Sequence, residues 1–347
     1  MSTSQDYTRV AIVTGGARGI GKAISLRLAA DGLDVVVADL PGQIELLNTV
    51  AEEIQRMGRK AVAVAVDVTK EADVKAMVEA TVSALGRLDV MVANAGVGGS
   101  VQSVMDADIQ AWEKGWEVNI KGVLLCYKYA ARQIVKQGNG GRIIGASSIC
   151  GLRGYADVGG YCISKAAVRS LTQTTALELR EHKITVNAYA PAVIETNMTA
   201  TEADKEHGPG FGVKRLLKIP DFRTGQPADV ANAVSFLASP DSHFVTGQTI
   251  SMNDGTIAVI ADVSKEEDFK AMVDATVLAL DRLDVMVANA GVVNGAGGLV
   301  SVMDAKVEGW QNGWDVNIRG TLERLSTAVW FDIVHNNVIA RCRGIKF

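Results

Sequence analysis

Val10-Ala11-Ile12-Val13-Thr14-Gly15-Gly16-Ala17-Arg18-Gly19-Ile20-Gly21 is the stretch on which the fold turns. Its four leading apolar residues suit a short, buried parallel strand. They run straight into a glycine-rich turn. Behind the turn, Ile24, Leu26, Leu28 and Ala29 place apolar side chains at helical spacing. Strand, glycine turn and helix in that order are the setting of a phosphate-binding loop. Glycines let the backbone approach a pyrophosphate, and the helix start offers free N–H groups and a positive dipole end. The spacing is Gly-x-x-x-Gly-x-Gly, which taken alone also fits a tight turn with no ligand.

Working outward, Asp34 to Asp39 reads as a second strand, with Asp39 at its C-terminal end roughly 20 residues past the turn. A carboxylate there accepts hydrogen bonds from the adenosine ribose of NAD and repels the extra phosphate of NADP. Arg18, inside the turn, pulls towards NADP; NAD is expected on the strength of Asp39, with NADP not excluded. A helix over about Gln43–Met57 leads to a strand over Lys60–Val66, ending at Asp67-Val68. A helix over Glu71–Leu85 leads to a strand over Leu88–Ala93, ending at Asn94-Ala95-Gly96. Strands alternating with helices in this way predict a doubly wound, Rossmann-type parallel α/β sheet in a single domain over 1–255. Its ligands belong at the carboxyl ends of the strands.

The composition narrows the function. Of 347 residues, 48% are hydrophobic and 21% charged, a balance that builds an ordinary buried core. The net charge of −4, without a basic run, argues against a nucleic-acid surface. Cys126, Cys150, Cys162 and Cys342 show no metal spacing and read as reduced thiols. Four scattered histidines suggest neither a zinc site nor a histidine-based triad, so no metal is expected. No apolar run reaches the length of a membrane span, and Met1 to Arg9 lacks a signal core. A cytoplasmic protein is expected.

Chemistry is expected further along. Tyr161 and Lys165 stand one helical turn apart near a helix start. A nearby ammonium favours a phenolate, so the pair fits proton donation and removal, although alone the spacing more often marks an exposed surface pair. A strand over Arg142–Ala146 ends at Ser147-Ser148, placing the Ser148 hydroxyl to reach the same carbonyl as Tyr161. Trp112 and Trp116 read as packing aromatics. Asn119 sits inside a helix, and the segment from Asn197 to Gly225 reads as an irregular lid.

Thr14-Gly-x-x-x-Gly-x-Gly21, Asn94-Ala-Gly96, Asn119, Ser148, Tyr161-x-x-x-Lys165 and Pro191 through Thr196 occur in the order that marks the short-chain dehydrogenase/reductase family, and Val10 to Gly255 resembles it. Gly21 to Leu28, Arg169 to Thr174, Ile184 to Asn187 and Ser239 to Ser242 look most like NAD-dependent acetoin/diacetyl reductases, also called 2,3-butanediol dehydrogenases. The resemblance implies hydride exchange between NAD(H) and a secondary alcohol or ketone. Tyr161 would be the acid/base, and Lys165 would hold the nicotinamide ribose and depress the tyrosine pKa. Ser148 would hold the substrate oxygen, and Asn119 a relaying water. Gly15, Arg18, Gly19, Ile20 and Gly21 would meet the pyrophosphate, Asp39, Asp67 and Val68 the adenosine, and Asn94, Gly96, Pro191, Val193 and Thr196 the inner cofactor. Ile149 and Tyr155 would line the substrate. They are less polar than the resemblance suggests for a diketone site and favour a bulkier ketone. Ala192 stands where the family usually has glycine, which is harmless if its backbone is not left-handed. A sugar-alcohol or bulkier ketone reductase, and a non-catalytic cofactor-binding regulator, are the alternatives. The resemblance also implies a homodimer or homotetramer.

The C-terminal part is unexpected. Ala258 to Val292 nearly repeats Ala63 to Val97, and Trp310, Trp314 and Asn317 echo Trp112, Trp116 and Asn119. Residues 256–347 thus duplicate roughly 61–131. The copy has no glycine turn, no counterpart of Ser148 and no Tyr/Lys pair, so no second active site is expected. It reads as a duplicated segment, a docked appendage or a swapping element, and as bulk that could block assembly.

Overall fold

The computed structural model describes residues 7–220 and 222–253, and the backbone of three strands further along. The chain divides into two compact units, Met1–Asp254 and Gly255–Phe347.

In the first unit the strands are β1 (Val10–Thr14), β2 (Asp34–Asp39), β3 (Ala61–Ala65), β4 (Val90–Ala93), β5 (Gly141–Ala146), β6 (Ile184–Pro191) and β7 (Thr249–Met252). They form one sheet in the order β3-β2-β1-β4-β5-β6-β7, and all its pairings are parallel. The valine-rich strands are buried on both faces because helices cover both sides. One apolar core joins α1 (Gly19–Ala30), α2 (Ile44–Arg56) and α9 (Pro227–Ala238) to one face. A second joins α3 (Glu71–Leu85), α5 (Val123–Gln137) and α6 (Gly159–Leu179) to the other. The chain reverses its direction of travel across the sheet between β1 and β4, which leaves a crevice beyond their carboxyl ends.

Two local features position the site. Between α4 (Ile109–Trp116) and α5, Glu117–Gly122 forms a π-helical turn where the sequence suggests plain helix. Such turns re-aim a side chain, here Asn119. Trp112 and Trp116 pack edge to face, with ring centroids 6.1 Å apart. The Trp116 indole N–H donates to the Gly160 carbonyl at 3.0 Å. A Cβ on Gly160 would come within 2.8 Å of the Trp112 ring, so glycine lets the indole close on the start of α6. The aromatic pair is packing, as the sequence suggests, and it anchors the turn that carries Tyr161.

The segment 197–225 is more ordered than expected. It contains α7 (Asp204–His207) and α8 (Phe211–Leu216). Asp204 ties them together, accepting from the Thr201 hydroxyl (2.7 Å) and the Gly210 and Gly212 amides (3.1 and 3.0 Å). In the second unit, β8 (Val285–Ala288), β9 (Val329–Val334) and β10 (Asn337–Cys342) form an antiparallel sheet in the order β8-β10-β9. The repeated tryptophans and Asn317 lie outside the described residues, as do Met1 to Asp6.

Candidate active site

The glycine turn builds one end of the site. Gly15 and Gly19 hold φ of 65° and 54°, which side chains resist. A Cβ on Gly21 would lie 2.0 Å from the Gly15 carbonyl oxygen, so helix and turn meet only because that residue is glycine. No acidic residue occupies the first turn of α1, leaving its amides and dipole open to an anion. This cradle opens into a cleft of about 620 Å³ at the carboxyl ends of the strands. A dinucleotide fits such a cradle and cleft on shape and charge alike.

The other predicted cofactor residues distribute unevenly around it. Arg18, Ile20, Asp39, Asp67, Val68, Gly96, Pro191 and Thr196 line the cleft. Asp39 accepts from the Ala17 amide (3.1 Å) and the Leu40 amide (2.8 Å), which fixes the carboxylate at the rim with lone pairs to spare. Asp67 turns one oxygen to the Thr69 hydroxyl (2.8 Å), so its own loop already uses part of its capacity. Asn94 also lines the cleft, but its amide is a brace. It donates to the Thr14 carbonyl (2.8 Å) and accepts from the Tyr189 hydroxyl (2.7 Å), tying β1, β4 and β6. Val193 departs from expectation: its side chain is buried and packs with Ile149 and Cys150, away from the cleft wall. Ala192 is not among the residues with positive φ, so its extra methyl is accommodated.

The catalytic candidates converge from three elements. Tyr161 and Lys165 stand in the first two turns of α6, and both face the cleft. The Lys165 ammonium lies 5.5 Å from the Tyr161 ring centroid and donates to the Ala146 carbonyl at 2.9 Å. The backbone of α6 is tied to β5 by the Ser147 hydroxyl, which donates to the Lys165 carbonyl at 2.9 Å. Ser148 lies two residues past the end of β5 and donates to the Pro191 carbonyl at a long 3.4 Å, a weak bond that a ligand oxygen could replace. Asn119 is buried. Its carbonyl oxygen accepts the Val97 amide (2.9 Å), and its amide donates to the Val97 carbonyl (2.9 Å) and the Ser164 hydroxyl (3.2 Å). A Cβ on Gly96 would meet Asn119 Oδ1 at 3.2 Å and Lys165 Nζ at 3.3 Å, so Asn119, Gly96 and Lys165 form one close cluster.

The electrostatics correct one expectation. Burial brings the Lys165 ammonium down to about 8. Burial also pushes the Tyr161 phenol well above its ordinary range, and Cys150 adds to this, while the Ser148 hydroxyl offsets part. The lowering of the tyrosine pKa by Lys165, expected from spacing, does not set the direction here; the loss of water around the phenol does.

Comparison with known proteins places this geometry. The family model described as Enoyl-(Acyl carrier protein) reductase matches residues 15–257, and again 254–330. The chain is a short-chain dehydrogenase/reductase. It is 43% identical over 252 residues to the short-chain dehydrogenase/reductase eriH of Hericium erinaceus, covering 72% of this chain and 98% of that one. It is 39% identical over 259 residues to a diacetyl reductase, (S)-acetoin forming, of Staphylococcus epidermidis, covering 72% and 99%. The crystal structure of carveol dehydrogenase from Mycobacterium avium in complex with NAD is similar with a TM-score of 0.65, at 31% identity, covering 72% and 97%. Among its relatives the chain stands close to the acetoin-reductase-like members of the family, and it is an oxidoreductase of the short-chain alcohol dehydrogenase/reductase type. No helix among the described residues is long and apolar enough to cross a membrane, and none of their His, Cys, Asp and Glu side chains cluster as a metal site.

Sequence reasoning missed Tyr189, which lines the cleft and carries the hydroxyl that holds Asn94. Strand alternation held the signal, since Tyr189 and Pro191 are two apart and share a sheet face. It also missed Ala146, whose carbonyl anchors Lys165; a backbone acceptor leaves no mark in sequence.

Proposed function

We propose that this short-chain dehydrogenase/reductase interconverts a ketone and a secondary alcohol with NAD(H). Tyr161 and Lys165 on the cleft wall, with the Ser148 hydroxyl beside the Tyr161 phenol, carry this reading. A nicotinamide cofactor bound in the cleft would give or take the hydride. Gly15, Gly19 and Gly21 would hold its pyrophosphate, Asp39 the adenosine ribose and Lys165 the nicotinamide ribose.

The protein's residues handle the oxygen and its proton. Ser148 exchanges its weak bond to Pro191 for the substrate carbonyl oxygen and stabilises the charge that grows there. Tyr161, held as a neutral phenol by burial, gives its proton to that oxygen in reduction and removes it in oxidation. The Lys165 ammonium, steadied by Ala146, stabilises the phenolate left behind. Asn119 and Lys165 flank the Gly96 backbone, where a bridging water would return the proton from solvent. Intact Asn119, Ser148, Tyr161 and Lys165 weigh against a non-catalytic regulator.

NAD preference rests on Asp39, and the NAD complex of the carveol dehydrogenase supports it. For the substrate, the diacetyl reductase relative supports the acetoin/diacetyl reading. The test of the reaction is NADH oxidation with a ketone panel by the protein and by Tyr161→Phe. The variant is expected to bind NADH with unchanged affinity, followed by fluorescence, and to lose turnover. Turnover retained in that variant would overturn the proposal.

A further inference from the structure

The carboxyl end of β6 is tied to the glycine turn by a short chain of polar groups. Tyr189 lines the cleft and is otherwise buried in the core that α1 and α9 cover. It stands opposite Ala146 of β5 in the register, and that small side chain leaves room for the phenol to cross β5. Its hydroxyl donates to Asn94 Oδ1, just past the end of β4, at 2.7 Å. Burial pushes the phenol well above its ordinary range, so the donor keeps its proton at neutral pH. The Asn94 side-chain nitrogen in turn donates to the Thr14 carbonyl (2.8 Å) and the Gly15 carbonyl (3.2 Å). The Thr14 hydroxyl accepts from the Asn94 and Ala95 amides, both at 3.1 Å.

There is no slack at the far end of this chain. Gly15 opens the glycine turn with a φ of 65°. An added Cβ would lie 2.9 Å from Asn94 Nδ2 at Gly15 and 2.7 Å from it at Gly21. Turn, helix start and asparagine therefore pack as one unit, and a rotation of the Asn94 amide moves the turn. Two carbonyls on one side demand the NH2 group of that amide, so Oδ1 must face the other way. There, among the described residues, the Tyr189 hydroxyl is its donor. Without that hydroxyl, Oδ1 is left without a partner inside the protein, a state folded chains avoid. The amide would turn to find a donor and release the Gly15 carbonyl.

We propose that Tyr189 is a positioning residue for the cofactor: through Asn94 its hydroxyl holds the Gly15 carbonyl, and so keeps the glycine turn in the shape that receives the pyrophosphate. It acts without touching the reacting atoms. This deepens the dinucleotide reading of the cleft and rests on it.

The test is Tyr189→Phe in the full chain, which keeps the ring that fills the core. Affinities for NADH and ADP-ribose are measured by calorimetry, and for adenosine by competition with NADH. With the released turn competent about a tenth of the time, Kd for NADH and ADP-ribose is expected to rise about tenfold. Adenosine, which has no pyrophosphate to meet the turn, should stay within about twofold. KM for NADH should rise about tenfold and kcat fall less than about twofold, because Ser148, Tyr161 and Lys165 are untouched. A general loosening of the core would not spare adenosine and kcat in this way. In an Asn94→Ala background the link is already cut, and Tyr189→Phe should change Kd for NADH by less than about twofold. Unchanged affinity for NADH and ADP-ribose in Tyr189→Phe, equal weakening of adenosine, or the full effect in the Asn94→Ala background overturns the proposal. Should Tyr189→Phe not fold, Asn94→Ala reads the same link from its other end. Weakened NADH and ADP-ribose with adenosine spared supports the link there, and unchanged affinities overturn it. A wild-type chain that binds NADH but reduces no ketone refutes the hydride-transfer reading, while the binding data decide Tyr189 by themselves. One that binds none of NADH, NADPH and ADP-ribose overturns both.

Discussion

Lys165 illustrates how a single residue sets both chemistry and cost. Its ammonium is buried and has the Ala146 carbonyl as acceptor, and burial brings its pKa down from 10.5 to about 8. The charged form therefore exists in the folded protein below about pH 8, while Tyr161 stays protonated throughout. We expect kcat/KM for ketone reduction to be level below about pH 8 and to fall tenfold per pH unit above it, as measured by a pH profile of initial rates. The same shift costs stability. Between about pH 8 and 10.5 the unfolded chain holds a proton that the folded chain has released, so this group's contribution rises with pH there. Below pH 8 the full penalty stands at about 3 kcal/mol. Lys165→Met should abolish turnover yet raise Tm by a few degrees at pH 7, with the advantage gone by pH 10.5 in thermal melts. Asp39 gives the second test at this scale. Asp39→Ser removes the charge that opposes a 2′-phosphate, and should raise kcat/KM with NADPH relative to NADH at least tenfold. Tyr161, Lys165 and Ser148 were legible in the sequence because spacing and strand order place them. The direction of the tyrosine shift was not, because it depends on how much water the finished fold excludes. Val193 was misplaced for a related reason: its position after β6 is visible in sequence, but the side it turns to is set by the segment that packs on it.

At the scale of elements, the sheet was legible and the segment over 197–225 was not. The strands announce themselves as valine and alanine runs ending at glycine, aspartate or asparagine, and the parallel order follows from the intervening helices. The observed ends differ by a few residues: β4 begins at Val90 rather than Leu88, and β3 runs Ala61–Ala65 rather than Lys60–Val66. The helices α7 and α8 have four and six residues, too short to show a period. They are held by a carboxylate, not by a pattern. The Gly212 amide and the Thr201 hydroxyl are the chief donors that bring the Asp204 carboxyl down to about 2, so it stays charged wherever the protein is active. Asp204→Ala is expected to leave the Tm of the sheet domain within a degree or two and to speed proteolytic cutting between 200 and 225 about tenfold. It should raise KM for the ketone more than it lowers kcat, because the segment that continues from Asn197 and Met198 at the cleft loosens while Ser148, Tyr161 and Lys165 stay in place. The π-helical turn at Glu117–Gly122 was equally hidden, since one extra residue per turn leaves the composition of a helix unchanged.

At the scale of the molecule, the repeated sequence shows how context decides pairing. Val90-Met91-Val92-Ala93 lies between parallel neighbours, pairing with β1 and β5. The identical Val285-Met286-Val287-Ala288 pairs antiparallel with β10, Ala288 opposite Val338. The first copy has strands from βαβ units on both sides, and the second follows a segment that lacks the glycine turn and first strand. The family model's second match, 254–330, covers this region without bringing a counterpart of Ser148, Tyr161 or Lys165 to it. The catalytic candidates all lie between Asn119 and Lys165, and among the described residues the cleft lining ends at Met198. The sheet domain should therefore need nothing beyond β7. A chain ended after Gly255 is expected to keep kcat/KM within about twofold of the full chain and to melt as a single cooperative transition. Assembly is where the extra residues should tell. They leave directly after β7, which pairs with β6 on one side, and Phe236 on α9 and Phe244 before β7 are 49% and 92% exposed. Apolar surface beside a sheet edge suits burial against a second copy. Light scattering should give the truncated chain a mass of two or four protomers and the full chain a smaller multiple. Equal multiples for the two chains would show that residues 256–347 leave the assembly surface free.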